Sequence, residues 1–412
     1  MKKNYFVYAA SFFFSLGGNI LNLSIVYRLT DWFTFTPGQI GAYIAFGSLF
    51  YFAGCNLYHR FGSSFDPIKV FPAASFLVFI AAAFLSLGKS QSIVYVSYWV
   101  LQISSGFFWP PVMAWLTAGL NEKEMNREIG LFNRSWMAAS ILGPLVAGAL
   151  YHWNSGVNFF LLSFAYFMVV FFIYMMHRYC KKHGVSLNEA GQGQTGAKVP
   201  ETAIASNTPL DTAPDKRYSP QNTAIDKKLD LYRYKGWINA FSSTLFLGVL
   251  ANIVPLHIRD GLGFTERSAG IMLFIRSTAG FLGFAILAKY TLWHFNHRWF
   301  YAVQSGLILC TMVLLFAGSR LYIFFGIVIL AGLCNSGCYN NSIFYSGVTG
   351  KNPKKNMALH EIFLSIGSAA GAAGGGFFYQ HSGFTGTFIA LALVLLLGTG
   401  AQFLLDKRAN RK

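Results

Sequence analysis

The chain has 412 residues, of which 54% are hydrophobic and only 11% are charged, and its formal net charge is +17. Because soluble proteins carry about 25% charged residues, a water-exposed surface of this size would be short of charge. The composition therefore argues against a cytosolic enzyme, a secreted disulfide scaffold and a disordered chain, and it indicates a polytopic membrane protein.

Apolar segments follow one another along both halves of the chain, six in each half. A helix needs roughly 20 apolar residues to cross a bilayer, and it satisfies its own backbone there. Spanning strands would be shorter and would alternate apolar with polar residues. The segments lie at about 5–28, 38–59, 68–88, 93–118, 128–151, 157–177, 236–258, 267–288, 298–317, 321–346, 357–379 and 384–405. We therefore predict that each segment is a membrane-spanning helix.

Residues 183–230, between the two sets of segments, have a different composition. They are polar, rich in Gly, Pro, Thr, Ser and Asn, and almost free of aromatic residues. Such a stretch cannot bury enough apolar surface to order itself. We predict a flexible cytoplasmic linker over 179–235, which separates an N-terminal bundle (1–178) from a C-terminal bundle (236–412). A regulatory or partner-binding role for the linker remains an alternative.

Basic residues cluster at the ends of alternate apolar segments. Outside residues 178–235, sixteen lie on one side of the predicted membrane and only five on the other, namely Arg28, Lys89, Arg259, Arg267 and Arg320. Since Lys and Arg near span ends stay in the cytoplasm, this asymmetry places both termini and the linker there. The net charge is thus explained by topology in the inner membrane, and without an RNA or DNA motif we expect no nucleic-acid partner.

The two halves of the sequence resemble each other. FTPGQIGAYIAF (35–46) aligns with FTERSAGIMLFI (264–275) at an offset of 229, and GPLVAGALY (143–151) aligns with GAAGGGFFY (371–379). An internal repeat of this length in a chain with many spans is typical of duplicated bundles. The predicted fold class is therefore an all-α membrane protein with twelve transmembrane helices in two pseudo-symmetric six-helix bundles.

Two short motifs carry a resemblance to a known family. The loop between the second and third spans reads CNLYHRFGSS (55–64), and the fifth span contains ASILGPLVAG (139–148). They are similar to the G-x-L-x-D-R-x-G-R-R and G-x-x-x-G-P-x-x-G-G signatures of the major facilitator superfamily. Leu57, Arg60 and Gly62 match the first signature, whereas His59 replaces its aspartate, and two alanines replace glycines of the second. The resemblance implies two bundles that rock about a central cavity.

The family architecture also implies that the first, fourth, seventh and tenth spans line this cavity. These four spans are rich in polar residues, Asn239 and Ser242 among them, whereas the third, sixth, ninth and twelfth are mostly apolar and are predicted to face lipid. Amides in hydrocarbon need partners or water, so a hydrated cavity accounts for them; hydrogen bonding between helices is the alternative. The predicted substrate-binding residues are Arg276, Asn19, Asn22, Gln102, Trp109, Asn252, Tyr339, Asn340 and Asn341.

Arg276 is the clearest single signal in the sequence. It follows Arg267 by nine residues, which corresponds to roughly 13 Å of helix in a core roughly 30 Å thick. An arginine at that depth costs at least ~2.5 kcal/mol unless it meets water, an anion or a partner. Its fork of N–H donors suits a chloride or an anionic substrate group. The alternative is a structural arginine bonded to asparagine amides and carbonyl groups of the tenth or seventh span.

Three charged residues lie at the cytoplasmic ends of spans. Arg60 belongs to the second span, Arg134 to the fifth and Glu361 to the eleventh. The family resemblance implies that such charges latch the bundles when the cytoplasmic side is closed, and charge pairs that break on opening form a bistable element. We predict that these residues form a gate. Ordinary interfacial pairing, and proton carriage by Glu361 or His360, are the alternatives.

The sequence contains no catalytic constellation, such as a phosphate-cradling loop or a nucleophile elbow, so we expect neither an enzyme nor a cofactor or metal site. We predict a monomeric secondary active transporter of the inner membrane that moves a small polar or anionic organic solute by alternating access. A proton or another coupling ion is a further expected partner. A proton-coupled drug or multisubstrate efflux antiporter is the alternative, although the first span lacks an acid. A non-transporting membrane sensor ranks below both.

Overall fold

The computed structural model describes residues 2–61, 67–117, 122–182, 223–290, 292–348 and 353–410, which are almost entirely helical. The described α-helices are α1 Lys2–Phe33, α2 Pro37–Phe61, α3 Pro67–Leu87, α4 Gln91–Thr117, α5 Glu122–Trp153, α6 Ser155–Lys182, α7 Thr223–Leu256, α8 Glu266–Lys289, α9 His297–Leu315, α10 Leu321–Val348 and α11 Pro353–Asn410. A π-helical turn, His257–Gly261, follows α7. Nine of the described helices are long and apolar enough to cross a membrane. The predicted all-α membrane class is confirmed.

The described chain has eleven α-helices instead of the predicted twelve, because α11 covers both of the last two predicted spans. Its backbone departs from helical geometry at Gly383, where φ is 64° and ψ is −164°, a conformation open essentially only to glycine. Ala370 and Gly374 before this point line the same small cavity as Leu391 and Val394 after it. A straight helix would separate Ala370 from Val394 by about 36 Å. The chain therefore folds back at Gly383 into two arms.

Helix α7 begins at Thr223, ahead of the predicted start of the second bundle at 236. Packing explains the early start, because Lys235 is fully buried and its Nζ lies 2.8 Å from Asp406 Oδ2 of α11. In the turn before it, the ring of Tyr232 stacks on Tyr345 of α10 with centroids 5.3 Å apart. Residues 179–182 and 223–235 of the predicted linker are helical, in α6 and α7, and its residues 183–222 lie outside the described part of the chain.

Contacts divide the chain into two compact units. Unit 1 combines α1, most of α2 and α3 to α6 with Ile258–Phe274, a segment from the second half of the sequence. Unit 2 combines α7 and the chain from Ile275 onward with Thr36–Gly41 at the start of α2. Within unit 1, α1 packs along α5 and α6, and α3 packs along α4 and α6. Within unit 2, α7 packs along α10 and α11.

Arg28, at the end of the first predicted span, is fully buried in unit 1 against the end of α3. Its guanidinium donates hydrogen bonds to the carbonyl oxygens of Leu85 and, at 2.5 Å, of Gly88. It also lies 4.3 Å from the ring centroid of Phe159 on α6. The last carbonyl groups of a helix have no partner within the helix, and they lie at the negative end of its dipole. Arg28 satisfies them and thereby ties α1 to α3.

Candidate functional site

Two of the predicted binding residues lie on α1 in unit 1, and their surroundings differ. Asn19 is half-buried, and its Nδ2 donates to the carbonyl oxygen of Ser15 at 2.8 Å and to Ser140 Oγ of α5 at 3.3 Å. Asn22, one turn further along, is exposed and has no hydrogen-bond partner among the described residues. The structure therefore brings Asn19 to α5 and leaves the amide of Asn22 open.

The two predicted residues of α4 are also held within unit 1. Gln102 donates to the hydroxyl group of Tyr98, one turn earlier, at 2.9 Å. Trp109 packs edge-on against Phe14 of α1 and Phe132 of α5, with centroid distances of 4.9 and 6.0 Å. Trp109 is thus the aromatic contact that joins α1, α4 and α5, and Gln102 is engaged by its own helix.

Arg276 lies within α8, and its side chain is half-buried in unit 2. Its Nη2 donates to Ser277 Oγ at 3.1 Å, and within the described residues no carboxylate oxygen lies within 4.0 Å of the guanidinium. Helices α8 and α10 approach closely here. Gly332 of α10 has no Cβ, and a residue with one would place it 2.3 Å from the Arg276 carbonyl oxygen. The described part of unit 2 shows no bond from Arg276 to an asparagine amide. Most of its donors are therefore left for another acceptor.

Tyr339, a predicted binding residue of α10, contacts a histidine of α11. Its ring packs edge-on against His360 at 5.2 Å and against Phe284 of α8 at 5.7 Å. His360 is buried with Nδ1 2.7 Å from Ser342 Oγ, and its Nε2 has no partner among the described residues. Glu361 follows it and is exposed, without an ion pair in the described part of unit 2. His360 and Glu361 are both titratable, but as consecutive residues of a helix they point in different directions, and no hydrogen bond joins them within the described range 353–410.

The three predicted asparagines of unit 2 differ in their environments. Asn252 is buried, and its Nδ2 donates to the carbonyl oxygen of Gly248 at 2.6 Å, within the same helix. Asn341 is fully buried, and neither of its amide atoms has a partner among the described residues. Asn340, next to it, is half-buried. Of these amides, Asn340 is the one that is partly open to solvent.

Arg60 and Arg134, the predicted gate residues of unit 1, are both exposed. The guanidinium of Arg60 lies 5.6 Å from the ring centroid of Phe61. Neither arginine forms an ion pair within the described part of unit 1. Exposed arginines without fixed partners cost little to rearrange, which suits a latch that forms in only one state.

A cluster of charges in unit 1 was missed by the sequence analysis. Arg259, in the turn after α7, lies 2.9 Å from Asp31 Oδ1 at the end of α1, 2.6 Å from Asp260 Oδ1 and 3.7 Å from Glu266 Oε1. Its guanidinium also lies 4.6 Å from the ring centroid of Tyr27. One cation thus holds three carboxylates, one from the first half of the sequence and two from the second.

Helix α5 completes this group, which we call the Arg259 cluster. The hydroxyl group of Tyr151 donates to Asp31 Oδ2 at 3.0 Å, and His152 Nδ1 lies 3.2 Å from Glu266 Oε2. The cluster comprises Asp31, Tyr151, His152, Arg259, Asp260 and Glu266. Close by, the backbones of α5 and α8 approach so closely that a side chain in place of Gly148 would not fit, because its Cβ would lie 2.8 Å from the Cα of Gly270. Backbone packing and charge pairing therefore join α1 and α5 to Ile258–Phe274.

Several polar residues of unit 2 are bonded to one another inside the unit. Asn239 donates to Gln304 Oε1 at 3.3 Å, and Gln304 donates to Ser242 Oγ at 3.0 Å. Gln402 donates to Asn239 Oδ1 at 3.5 Å, and all four side chains are at most 2% exposed. For Asn239 and Ser242 the structure therefore favours hydrogen bonding between helices over a place on an open cavity.

The chain is similar to known proteins both in sequence pattern and in fold. The model of the Major Facilitator Superfamily matches residues 7–349 and, in a second alignment, residues 236–412. The search of curated proteins gave no match. Among solved structures, a POT family transporter in complex with 5-aminolevulinic acid superposes with a TM-score of 0.73 at 11% identity, over 99% of this chain and 96% of that chain.

Two further solved structures have a similar fold. Peptide transporter POT in complex with sulfate has a TM-score of 0.71 at 13% identity, over 100% of this chain and 95% of that chain. A bacterial homologue of the human lysosomal transporter Spinster, in an inward-facing and occupied conformation, has a TM-score of 0.64 at 11% identity, over 98% of this chain and 96% of that chain. At these identities the similarity shows the fold alone, and it extends over nearly the whole chain.

The apolar helices and these relatives agree on the class of protein. The chain is a multi-pass membrane protein, and the proteins that it resembles are transporters and not enzymes, as the sequence predicts. Since the family model covers well over half of its residues, this chain belongs to the major facilitator superfamily of membrane transporters.

Proposed function

We propose that this transporter moves a small anionic or polar organic solute across the inner membrane as a secondary active carrier. Arg276 carries the proposal, because its guanidinium lies within an apolar span and its one hydrogen-bond partner among the described residues is the neutral Ser277. A cation without a counter-charge in a membrane span is costly, and such residues mark substrate or ion pathways. A carboxylate or phosphate group of a solute would supply the missing acceptor with bidentate geometry.

The remaining binding residues are proposed to orient the solute. Selective sites combine apolar and aromatic walls with a few placed polar groups. Tyr339 and Trp109 provide aromatic surface, and Asn22 and Asn340 provide amides that are not fully enclosed. The full proposed set besides Arg276 is Asn19, Asn22, Gln102, Trp109, Asn252, Tyr339, Asn340 and Asn341.

Gating and coupling are proposed to share one charged residue, Glu361. We assign Arg60, Arg134 and Glu361 to a gate on the cytoplasmic side, with both termini in the cytoplasm. The Arg259 cluster is proposed to act as the gate on the opposite side, because it joins segments from the two halves of the sequence. Glu361 and the neighbouring His360 are the proposed proton carriers, if transport is coupled to protons.

A solute screen in liposomes tests the proposed function. Purified protein is reconstituted, and uptake of labelled carboxylates and phosphorylated solutes is compared with uptake of their neutral isosteres, with and without a pH gradient. We expect at least one anionic solute to enter about 10-fold faster than its neutral isostere, which corresponds to about 1.4 kcal/mol of discrimination. Expulsion of amphiphilic drugs driven by protons, without movement of any anion, would instead favour the efflux antiporter. Solute movement equal to that of protein-free liposomes would contradict transport itself.

A further inference from the structure

A groove in unit 2 lies between α7 and both arms of α11, and none of its lining residues belongs to the proposed solute site. Its volume is about 370 Å³, within the range of about 300–1,000 Å³ that is usual for small-molecule sites. Its walls include Tyr234 and Trp237 of α7 and Phe363, Ala401, Leu404 and Arg408 of α11. The groove is therefore apolar along its length and carries one cationic residue.

The floor of this groove is held in place by Trp237. This residue is buried, its Nε1 donates to Ser346 Oγ at 2.9 Å, and its ring stacks on Phe363 with centroids 5.6 Å apart. Leu404 and Tyr234, by contrast, are 58% and 43% exposed. A fixed aromatic floor with exposed apolar walls is a preformed binding surface, so an apolar chain can enter without rearrangement of the helices.

The mouth of the groove is positively charged. Arg408 and its neighbour Lys407 are exposed, and neither forms an ion pair with a described residue. The nearby carboxylate of Asp406 is already engaged by Lys235 at 2.8 Å and by the hydroxyl group of Tyr301 at 2.6 Å. The charge of Arg408 is thus left uncompensated beside an apolar groove. This combination complements a molecule with an anionic head and an apolar chain.

The position of the groove along the helices fits the membrane surface. The apolar span of α7 begins at Asp230, and the apolar stretch of α11 ends at Arg408. Trp, Tyr, Lys and Arg concentrate at this depth in membrane proteins. The groove therefore opens where lipid headgroups meet acyl chains, and clusters of basic residues at that level recognise anionic lipids.

We propose that the groove holds an acyl chain of an anionic glycerophospholipid, whose phosphate group is bound by Arg408 and Lys407. The apolar walls account for the chain, and the uncompensated cations account for selection of an anionic headgroup over a zwitterionic one. A second copy of this chain is the competing occupant. In a two-fold dimer it would bring the same apolar walls and the same cation, so Arg408 would face another Arg408 and not a counter-charge.

Native mass spectrometry of the full-length protein can test the lipid site. Delipidated protein is exposed to an equimolar mixture of phosphatidylglycerol and phosphatidylcholine, and the lipids retained are counted. Wild type should retain phosphatidylglycerol preferentially, and Arg408→Gln should reduce that preference about 5-fold. Arg178→Gln is the matched control, because Arg178 is an exposed arginine near the end of α6 that lies 5.9 Å from the Tyr174 ring and does not line this groove.

A second variant tests the groove itself. Ala401 is a small residue in its wall, so Ala401→Trp should fill the space and remove retention of both lipids, while Ala285→Trp on the exposed face of α8 should leave it unchanged. Equal retention of the two lipids by wild type would overturn the proposal. Phosphatidylglycerol retention that stays unchanged in both Arg408→Gln and Ala401→Trp would also overturn it. So would the finding that wild type forms lipid-free dimers and that Ala401→Trp dissociates them, because a second copy would then occupy the groove. Since lipid retention is measured without solute, neither result depends on the proposed transport function.

Discussion

Arg276→Gln should lower uptake of the anionic solute about 100-fold, or about 2.7 kcal/mol, without lowering the unfolding temperature. Glutamine offers an anion neither a charge nor the fork of N–H donors. Stability should be kept, because Arg276 donates only to Ser277 among the described residues and because an unpaired cation in a span is itself costly. Initial uptake rates in liposomes and thermal unfolding in detergent measure the two effects separately.

Arg267→Gln is the matched control for this substitution. Arg267 is an exposed arginine in the first turn of the same helix, so its loss should leave uptake and stability unchanged. Arg276→Lys keeps the charge but not the planar fork, and we expect an intermediate rate. Wild-type uptake by Arg276→Gln would remove Arg276 from the proposed site. A fall in uptake that only follows a loss of folded protein would show that its role is structural.

Arg259→Ala should open unit 1 at the Arg259 cluster. The substitution removes the cation that lies within 4.0 Å of Asp31, Asp260 and Glu266, and these carboxylates would then repel one another. Ala269 is fully buried and lies three residues after Glu266 on α8, so Ala269→Cys reports on opening of the cluster once the five native cysteines have been replaced. Truncation of one partner in such a group costs about 2–5 kcal/mol, so labelling by a membrane-impermeant maleimide should rise at least about 10-fold.

Arg320→Ala is the control for the gate. Arg320 is an exposed arginine between α9 and α10 that has no ion pair among the described residues, and the predicted topology places it on the same side of the membrane as Arg259. Its loss should leave the labelling of Ala269→Cys unchanged. If Arg259→Ala also left that labelling at the wild-type rate, the Arg259 cluster would be a static contact and not a gate.

The sequence identifies Arg276 because a charge inside an apolar segment is a local feature. The roles of Arg28 and Arg259 depend on distant partners. Arg28 bonds carbonyl groups 57 and 60 residues further along the chain, and Arg259 pairs with an aspartate 228 residues earlier. The repeat held a usable signal, since its offset of 229 relates Asp31 to Asp260. An acid at the same place in both halves could have pointed to a shared basic partner.

Polarity shows which spans carry hydrogen-bonding side chains, but not which face of the helix they occupy. Asn239 was therefore predicted to line a cavity, whereas its partners Gln304 and Gln402 lie on spans predicted to face lipid. Gln304 and Gln402 each stand in a mostly apolar span, so the overall polarity of the span does not reveal them. Similarly, the glycine indicates where the chain turns, at Gly383, but the sequence does not predict that helix continues almost up to the turn on both sides.

Counterflow isolates the carrier step from any ion gradient. Liposomes that contain the protein are loaded with a high concentration of the unlabelled anionic solute identified in the screen and are diluted into a trace of labelled solute. A site that opens alternately to each side and that needs Arg276 predicts transient accumulation of label above the outside concentration in wild type, but not in Arg276→Gln. Label that enters wild-type liposomes no faster than protein-free ones, or that accumulates equally in Arg276→Gln, would contradict this mechanism.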